Sequence, residues 1–480
     1  MRYAVIGTGS RAAMYYEALV ENEKITAENK LVALMDLNQT RMDYVNQKMD
    51  LELPTYKPHQ FEEMLEKVEN HLDKDEISLI VGARQVGKTT LMKELKSQLE
   101  SEGENTLYLS MDIQEDKQNF ESQQDLIDRI ELEFGEENGY IFLDEIQRKE
   151  NAGLFLKGIY DQDTPYKLVV SGSGSLELKE NIHESLAGRK RIFELAPVSF
   201  KEFVNYETDY EYSDRLEKFF EVRKEKSDRL LEKYLNYGGY PRVVTERKEN
   251  EKRRIIDEIF SSYLERDVSN FLNVRKMDAY SKLVSVLADQ MGDPVSHSKL
   301  SRDVGVKSAT VRNYLDYLDK TFIVEQTNPF FTNKKKEITK SPIIYFSDTG
   351  LRNYSIQRFG HLNTSSDFGE LFESFIHNFL KRETQHTGLN VKYWRTKSRA
   401  EVDFVLTAGK KVKLPVEAKY KRLDEPKVTK SLRSFIKKYR PYKAVVVNLE
   451  LEETREIEKT EVEFIPYSKF LFRFEDLLDT

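Results

Sequence analysis

The sequence predicts an α/β chain of several domains: a parallel sheet built around a phosphate-binding loop, a helical segment, a winged helix and a mixed α/β end, with half of a dinucleotide-binding unit in front. Three observations carry this reading. Short apolar runs alternate with helical patterns between Arg2 and Leu195. An unbroken G-x-x-x-x-G-K-[ST] stretch occupies 82–89. From Phe368 the pattern changes to helix, paired strands, helix and strand. With 480 residues the chain exceeds what one core usually fills. The expected divisions are 1–65 for the partial dinucleotide unit, 66–205 for the phosphate-loop core, 206–290 for a helical lid, 291–350 for the winged helix and 351–480 for the last domain.

Composition narrows the function classes. A chain that is 39% hydrophobic and 33% charged suits a soluble globular protein. A net charge of -8 disfavours indiscriminate binding to nucleic acid or anionic membrane, but allows local basic patches. The absence of cysteine excludes disulfides, zinc–thiolate sites and thiol nucleophiles. The start lacks the pattern of a signal peptide, and no apolar run is long enough to span a bilayer. The expected location is the cytoplasm, with no membrane partner.

The first strand, "YAVIG", runs into Gly7, Gly9 and Ala12, and Ser10 to Glu21 reads as an amphipathic helix. "LVALMD" (31–36) is a second strand ending in Asp36, where an acid can take ribose hydroxyls. Gln39 to Lys48 is helical, "LPTY" is a short third strand, and another helix starts at Phe61. "GTGSRA" thus has the neighbours of a G-x-G-x-x-G/A turn. Residues 2–65 resemble the start of the glucose–fructose oxidoreductase/inositol dehydrogenase family of Rossmann enzymes. The likeness then stops: the Glu-Lys-Pro signature of that family occurs nowhere in the chain. NAD(P) is therefore not an expected cofactor, an NAD(P)-dependent oxidoreductase is a remote alternative, and the segment reads as a fused remnant.

The next unit has strands at 77–81, 106–111, 140–144, 167–172 and 191–195, separated as a parallel sheet requires. After the first comes "GARQVGKTT". Gly82 and Gly87 let backbone N–H groups curl around a phosphate, and the helix that follows turns its positive end to the same anion. Lys88 would reach the β- and γ-phosphates of ATP. The Thr89 hydroxyl, next to Thr90, would ligate Mg²⁺. "YIFLDEIQ" ends a strand in two acids: Asp144 to support Mg²⁺ and Glu145 to polarise the attacking water. In "VVSGSGS", Ser171 or Ser173 would sense the γ-phosphate, or the segment is simply a serine-rich turn.

From Ser199 to about Ala288 the pattern is helical and tyrosine-rich, broken by "YGGYP" (237–241). Residues 296–330 read as a helix–turn–helix with a turn at Gly305, and with Val311, Leu315 and Leu318 on one face. "TFIVEQ" is like the first strand of a wing. Lys307, Thr310, Arg312 and Asn313 face outward, but so do Asp316 and Asp319, which oppose a phosphate. The element binds DNA or packs between domains. Lys334, Lys335 and Lys336 follow, as a backbone contact or as a solvated loop.

Near the C-terminus, "GELFESFIHNFL" is a helix carrying Glu373, "YWRTKSRAEVDFVL" is a strand pair with Asp403, and "LPVEAKY" is a strand carrying Glu417 and Lys419 on one face. This resembles the PD-(D/E)xK nuclease arrangement. By that likeness Asp403 and Glu417 would bind a divalent metal, Lys419 would position water or stabilise developing charge, and Glu373 would complete the site. The same fold also serves as a binding module, with the acids paired to Lys419.

"GARQVGKTT", "FLDEIQR", "SGSGSLEL", "SLAGRK" and "ELAPVSFKEF", in that order, resemble the AAA-type ATPases that carry a C-terminal DUF4143 domain. The match runs from about His71 to the end. It implies an ATPase core, a helical segment, a winged helix and a nuclease-like end. It also makes Arg189, in "SLAGRK", a γ-phosphate charge stabiliser, against the alternative of a surface or ion-paired arginine. The reading is an ATP- and Mg²⁺-dependent enzyme acting on DNA, able to form a homo-oligomer. Its rival is a nucleotide-gated protein-interaction module with an inactive nuclease-like domain.

Overall fold

The computed structural model describes residues 2–6, 30–35, 55–56, 62–135, 137–162, 164–173, 185–265, 268, 276–331, 340–362 and 365–478. The chain divides into two units, Met1–Leu195 and Ala196–Thr480.

In the first unit, β1 (Arg2–Ile6), β2 (Lys30–Met35) and β3 (Thr55–Tyr56) pair in parallel, in that order. Gly7, Gly9, Ala12 and Asp36, the residues of the dinucleotide-type turn and its strand-ending acid, lie outside the described residues. A helix, α1 (Glu62–Glu69), leads to a separate five-stranded sheet. Its strands are β4 (Ile77–Gly82), β5 (Thr106–Ser110), β6 (Gly139–Asp144), β7 (Tyr166–Ser173) and β8 (Lys190–Glu194). They run parallel in the order β5-β6-β7-β4-β8.

The strand residues explain this architecture. Every residue of β4 is buried, as expected of a strand with both faces covered. The crossover helices are α2 (Lys88–Ser101), α3 (Gln123–Phe134) and α4 (Ala152–Tyr160). Ser122 caps α3 reciprocally with Asp125, which satisfies two backbone donors at its start. Because all five strands point one way, their C-terminal ends form a single edge, where Gly82, Asp144 and Ser173 stand together.

The second unit begins with helices α5 (Phe200–Glu207), α6 (Leu216–Val222), α7 (Lys224–Tyr237), α8 (Pro241–Thr245), α9 (Glu249–Ser262) and α10 (Met277–Asp289). "YGGYP" ends α7. Gly238 has φ +76°, and a Cβ there would lie 2.4 Å from Asp348 Oδ1. Two more helices, α11 (His297–Val304) and α12 (Ser308–Lys320), turn at Gly305. Val311, Leu315 and Leu318 are buried, as their spacing predicts. An antiparallel ribbon follows, β9 (Val324–Thr327) with β10 (Ile343–Phe346). Lys334, Lys335 and Lys336 lie outside the described residues.

The end of the chain contains α13 (Thr349–Ser355), α14 (Ser365–Glu383) and β11 (Asn390–Arg395). Next come β12 (Glu401–Ala408), β13 (Lys411–Ala418), α15 (Lys430–Tyr439) and β14 (Lys443–Asn448). The last elements are β15 (Glu453–Ile457), β16 (Thr460–Pro466) and α16 (Tyr467–Leu478). The mixed sheet runs β11-β12-β13-β14-β16-β15. Trp394, Val405, Phe435, Val446 and Phe464 form a core between this sheet and α15. Among the described residues, no helix is long and apolar enough to cross a membrane.

Candidate functional site

The phosphate-binding stretch occupies the turn from β4 into α2. Gly82 has φ +155°, and a Cβ there would meet the Leu195 carbonyl oxygen at 2.2 Å, so only glycine fits. Gly87, with φ +108°, is the residue from which α2 starts. Lys88 is the first residue of that helix and is buried. Its Nζ donates to the carbonyl oxygens of Gly82 at 3.1 Å and Ala83 at 2.8 Å. The ammonium therefore lies along the inside of the loop. Thr90 follows half-buried.

The decisive contact joins the start of α2 to the end of β6: Thr89 Oγ1 donates to Asp144 Oδ2 at 2.8 Å. Asp144 is buried and gathers further donors. Tyr108 on β5 donates its phenol to the same oxygen at 2.6 Å, and Ser171 donates to Oδ1. Burial, reinforced by the Asp144 charge, drives the Tyr108 pKa far upward and keeps the phenol a donor. Glu145 adopts the left-handed region at φ +59°, and its N–H donates to Asp144 Oδ1 and to Ser171 Oγ. Its carboxylate accepts from Gln147 Nε2 at 2.6 Å, and Gln147 Oε1 accepts from the Ser173 N–H at 3.2 Å.

The two serines take different positions. Ser171 is committed to Asp144. Ser173 Oγ is buried and has no hydrogen-bond partner, at a strand end whose register neighbour is Gly82. ATP with Mg²⁺ fits this donor set. A hydroxyl and a carboxylate stand in contact, an ammonium lies inside the loop, and an orphaned hydroxyl waits beside it.

Arg189 stands apart from the loop of its own chain. It precedes β8, and its carbonyl accepts from the Ile77 N–H at the start of β4. Gly82 lies at the other end of β4, about 16 Å away at ~3.3 Å per residue. Arg189 Nε instead pairs with Asp161 Oδ1 at 2.7 Å. The residue does not share an edge with Lys88, and its pairing with Asp161 is the arrangement of the alternative reading, an ion-paired arginine.

A second cluster lies in the C-terminal sheet. Lys419 Nζ stands 3.5 Å from Asp403 Oδ2 and 3.8 Å from Glu417 Oε2, and the Ala418 N–H donates to Asp403 at 2.8 Å. Glu417 is buried: Oε1 accepts from Thr429 Oγ1 at 2.7 Å, while Oε2 has no hydrogen-bond partner. Glu373 on α14 accepts from Tyr345 Oη at 2.5 Å. Burial first, and then the Asp403 charge, pushes the Glu373 carboxyl up. Burial likewise raises Glu417, against the pull of Lys419. Burial works against the Lys419 ammonium, but the carboxylates Asp403, Glu417 and Glu373 outweigh it and raise its pKa. Among the described residues, no three His, Asp or Glu side chains converge as a metal-ligand set.

On the helix–turn–helix, Lys307, Arg312, Asn313 and Asp316 are exposed and Thr310 is half-buried. Asp319 instead turns back to the ribbon, where Oδ1 accepts from the Gln326 N–H at 3.2 Å.

Sequence reasoning missed Gln147, Tyr108, Thr429 and Tyr345. Gln147 lies three residues beyond Asp144, and that spacing is its only sequence signal. The other three depend on strand register or on a crossover.

Comparison with known proteins places these sites in a wider group. A family model described as "AAA domain" matches residues 74–204, "Domain of unknown function (DUF8612)" matches 228–361 and "Domain of unknown function (DUF4143)" matches 368–470. An uncharacterized protein of Mycobacterium bovis, Mb2031c, is 30% identical over 363 residues, covering 75% of this chain and 73% of that one. An uncharacterized protein of Methanocaldococcus jannaschii, MJ1637, is 26% identical over 434 residues, covering 85% and 87%. Among solved structures, a replication initiator DnaA bound to AMPPCP and single-stranded DNA is 15% identical with a TM-score of 0.28, covering 55% of this chain and 88% of that one. Likeness at that level says nothing of function.

Proposed function

Since the chain belongs to the family of AAA-domain proteins that end in a DUF4143 domain, we propose that it binds and hydrolyses ATP with Mg²⁺ and directs that cycle at DNA. One observation carries the ATPase half: the Thr89–Asp144 contact joins the loop helix to the strand that ends in Glu145. Thr89 and Asp144 would hold Mg²⁺, which when bound screens the phosphate charge and helps the leaving group depart. Lys88 and the loop N–H groups orient the phosphates. Glu145 takes a proton from the attacking water, with Gln147 holding its carboxylate. The loop N–H groups and Lys88 meet the charge that develops.

The test is ATP turnover with and without single- and double-stranded DNA, for wild type and Lys88→Ala. Normal turnover by Lys88→Ala overturns the ATPase half. Turnover and domain arrangement that no nucleic acid alters overturn the DNA half.

The DNA half rests on the exposed Lys307, Arg312 and Asn313 and on the C-terminal cluster. There Glu417 Oε2, which accepts no hydrogen bond and faces only the Lys419 ammonium at 3.8 Å, suits a divalent cation, which Asp403 and Glu417 would hold, with Lys419 and Glu373 beside it. The Lys419 ion pairs favour the rival reading, a domain that binds without cutting. Incubation of DNA with Mg²⁺ or Mn²⁺ separates the two. Cleavage lost in Asp403→Ala establishes a nuclease, and equal background in both proteins leaves a binding module.

A further inference from the structure

Between Pro426 and Leu449 the chain contains no acid, although acids outnumber bases overall, 83 to 75. Helix α15 lies at the centre of this stretch. Leu432, Phe435 and Ile436 are fully buried in the core. Lys430, Arg433 and Lys437 are exposed and recur at i, i+3 and i+7, so they form one outward row with neighbours about 5–6 Å apart. Lys427 and Arg440 extend the row at either end, both exposed. Among the described residues, none of these five side chains forms an ion pair with an acid. Lys443, just beyond them, does so, with Glu461 at 3.2 Å.

Two further observations give the row a direction and a partner. Thr429 caps the start of α15 by accepting from the Leu432 N–H, and it donates to Glu417, so the row begins at the acid–lysine cluster. Beyond its far end stands Tyr442, 69% exposed, an aromatic ring with no core role.

We propose that the outward face of α15 binds the phosphodiester backbone of nucleic acid and leads the strand to the Asp403–Glu417–Lys419 cluster, with Tyr442 as a stacking platform for a base. The dimensions agree. Ten helical residues span about 15 Å, which matches the axial rise of about four base pairs of duplex at ~3.4 Å each. A membrane surface does not suit this helix, because its apolar side is already in the core and its outward side offers nothing to insert. An acidic protein gives no use to an exposed ring beside a regular cationic row, whereas every base can stack on one.

The proposal names the surface for the DNA half of the proposed function and does not depend on the ATPase half. The experiment is fluorescence anisotropy of the full chain with labelled single-stranded DNA, duplex DNA and single-stranded RNA over a range of salt. Each is measured for wild type, Lys430→Gln/Arg433→Gln/Lys437→Gln and Tyr442→Ala. The triple variant should bind about tenfold or more weakly, and its plot of log affinity against log salt should be shallower by about 2 to 3. Tyr442→Ala should weaken single strands more than duplex. Because the three bases are exposed and unpaired with acids, and Arg433 gives up only a 3.3 Å bond from Nε to the Val428 carbonyl, the unfolding midpoint should move little. Whichever nucleic acid shows the largest loss is the natural source of the backbone.

Unchanged affinity and slope in the triple variant overturn the proposal and leave DNA binding to other elements. A wild type that binds none of the three overturns it together with the DNA half. So does a wild type that charge-matched polyglutamate or phosphatidylserine vesicles occupy as well as DNA. Turnover surviving in Lys88→Ala removes the ATPase half and leaves this surface standing.

Discussion

Gln147 Nε2 donates to Glu145 Oε2 at 2.6 Å, and the other end of the same amide accepts from the Ser173 backbone. One buried side chain thus ties the carboxylate proposed to activate water to the end of β7. Glu145 itself sits at φ +59°, a region that a non-glycine residue occupies only when its surroundings impose it. Gln147 is part of that imposition. Removing a hydrogen bond to a charged group costs about 1.5–3 kcal/mol. Gln147→Ala should therefore lower kcat for ATP by about tenfold to a hundredfold, with nucleotide affinity little changed. Gln147→Glu should be worse, because a carboxylate would face a carboxylate. Equal kcat in wild type and Gln147→Ala would remove the positioning role.

The two serines on β7 make opposite predictions. Ser173→Ala removes a buried hydroxyl that has no partner, so stability should stay within about 0.5 kcal/mol or improve. If that hydroxyl meets the γ-phosphate, hydrolysis should still fall by about tenfold or more. Ser171→Ala leaves Asp144 and the Glu145 N–H each short of a partner and should cost about 1–3 kcal/mol in stability. Chemical denaturation combined with steady-state turnover reads both. A destabilised Ser173→Ala with full activity would assign that hydroxyl to the fold alone.

How much of this was legible depends on what each inference needed. The five strands of the parallel sheet are visible as apolar runs, and their observed bounds differ from the expected ones by at most one residue. Buried parallel strands must be apolar on both faces, and that pattern is local. Lys88, Thr89 and Asp144 are similarly legible, because the glycine loop and the strand-ending acid are contiguous. Tyr108 is not: its contact with Asp144 exists only once β5 pairs with β6 in one register. Arg189 shows what motif order leaves out. Its motif follows the others in sequence, but a residue just before a parallel strand lies at the edge opposite the loop. The run "RIFEL" after it already contained that information. In the C-terminal domain, the strand run around Asp403 and the two-residue spacing of Glu417 and Lys419 pointed to these three residues, although β13 ends at Ala418, one residue before Lys419, whereas Thr429 reaches Glu417 only through the turn into α15.

Gly82→Ala tests the loop geometry directly. The added methyl would overlap the Leu195 carbonyl, which belongs to the backbone and cannot rotate away, and φ +155° is unfavourable for alanine. The variant should lose nucleotide binding, measured by titration with a fluorescent ATP analogue, and should unfold at lower temperature. Wild-type affinity in a variant of unchanged stability would show that the turn tolerates another backbone path.

Asp348 gives the second unit a defined pH response. Its carboxylate is buried and accepts from the Gly239 N–H at 2.6 Å and the Leu351 N–H at 2.7 Å, tying the "YGGYP" break to the start of α13. Burial pushes its pKa up to about 6, and those N–H groups only partly offset this. The unfolded carboxyl ionises near its ordinary value, about 4. Between these values the folded chain holds the proton more tightly, so this group's contribution falls as pH rises from about 4 to about 6 and is level above that. Two pKa units correspond to about 3 kcal/mol. Other carboxylates titrate in the same window, so the useful measurement is a difference. Wild type and Asp348→Asn should be unfolded in urea at several pH values across the window. Asparagine loses one acceptor at every pH, which lowers the whole curve, but it has no proton to release. The gap between the two curves should therefore be widest near pH 4 and narrow by about 3 kcal/mol toward pH 6. A gap independent of pH would show that Asp348 ionises in the folded chain as easily as in water.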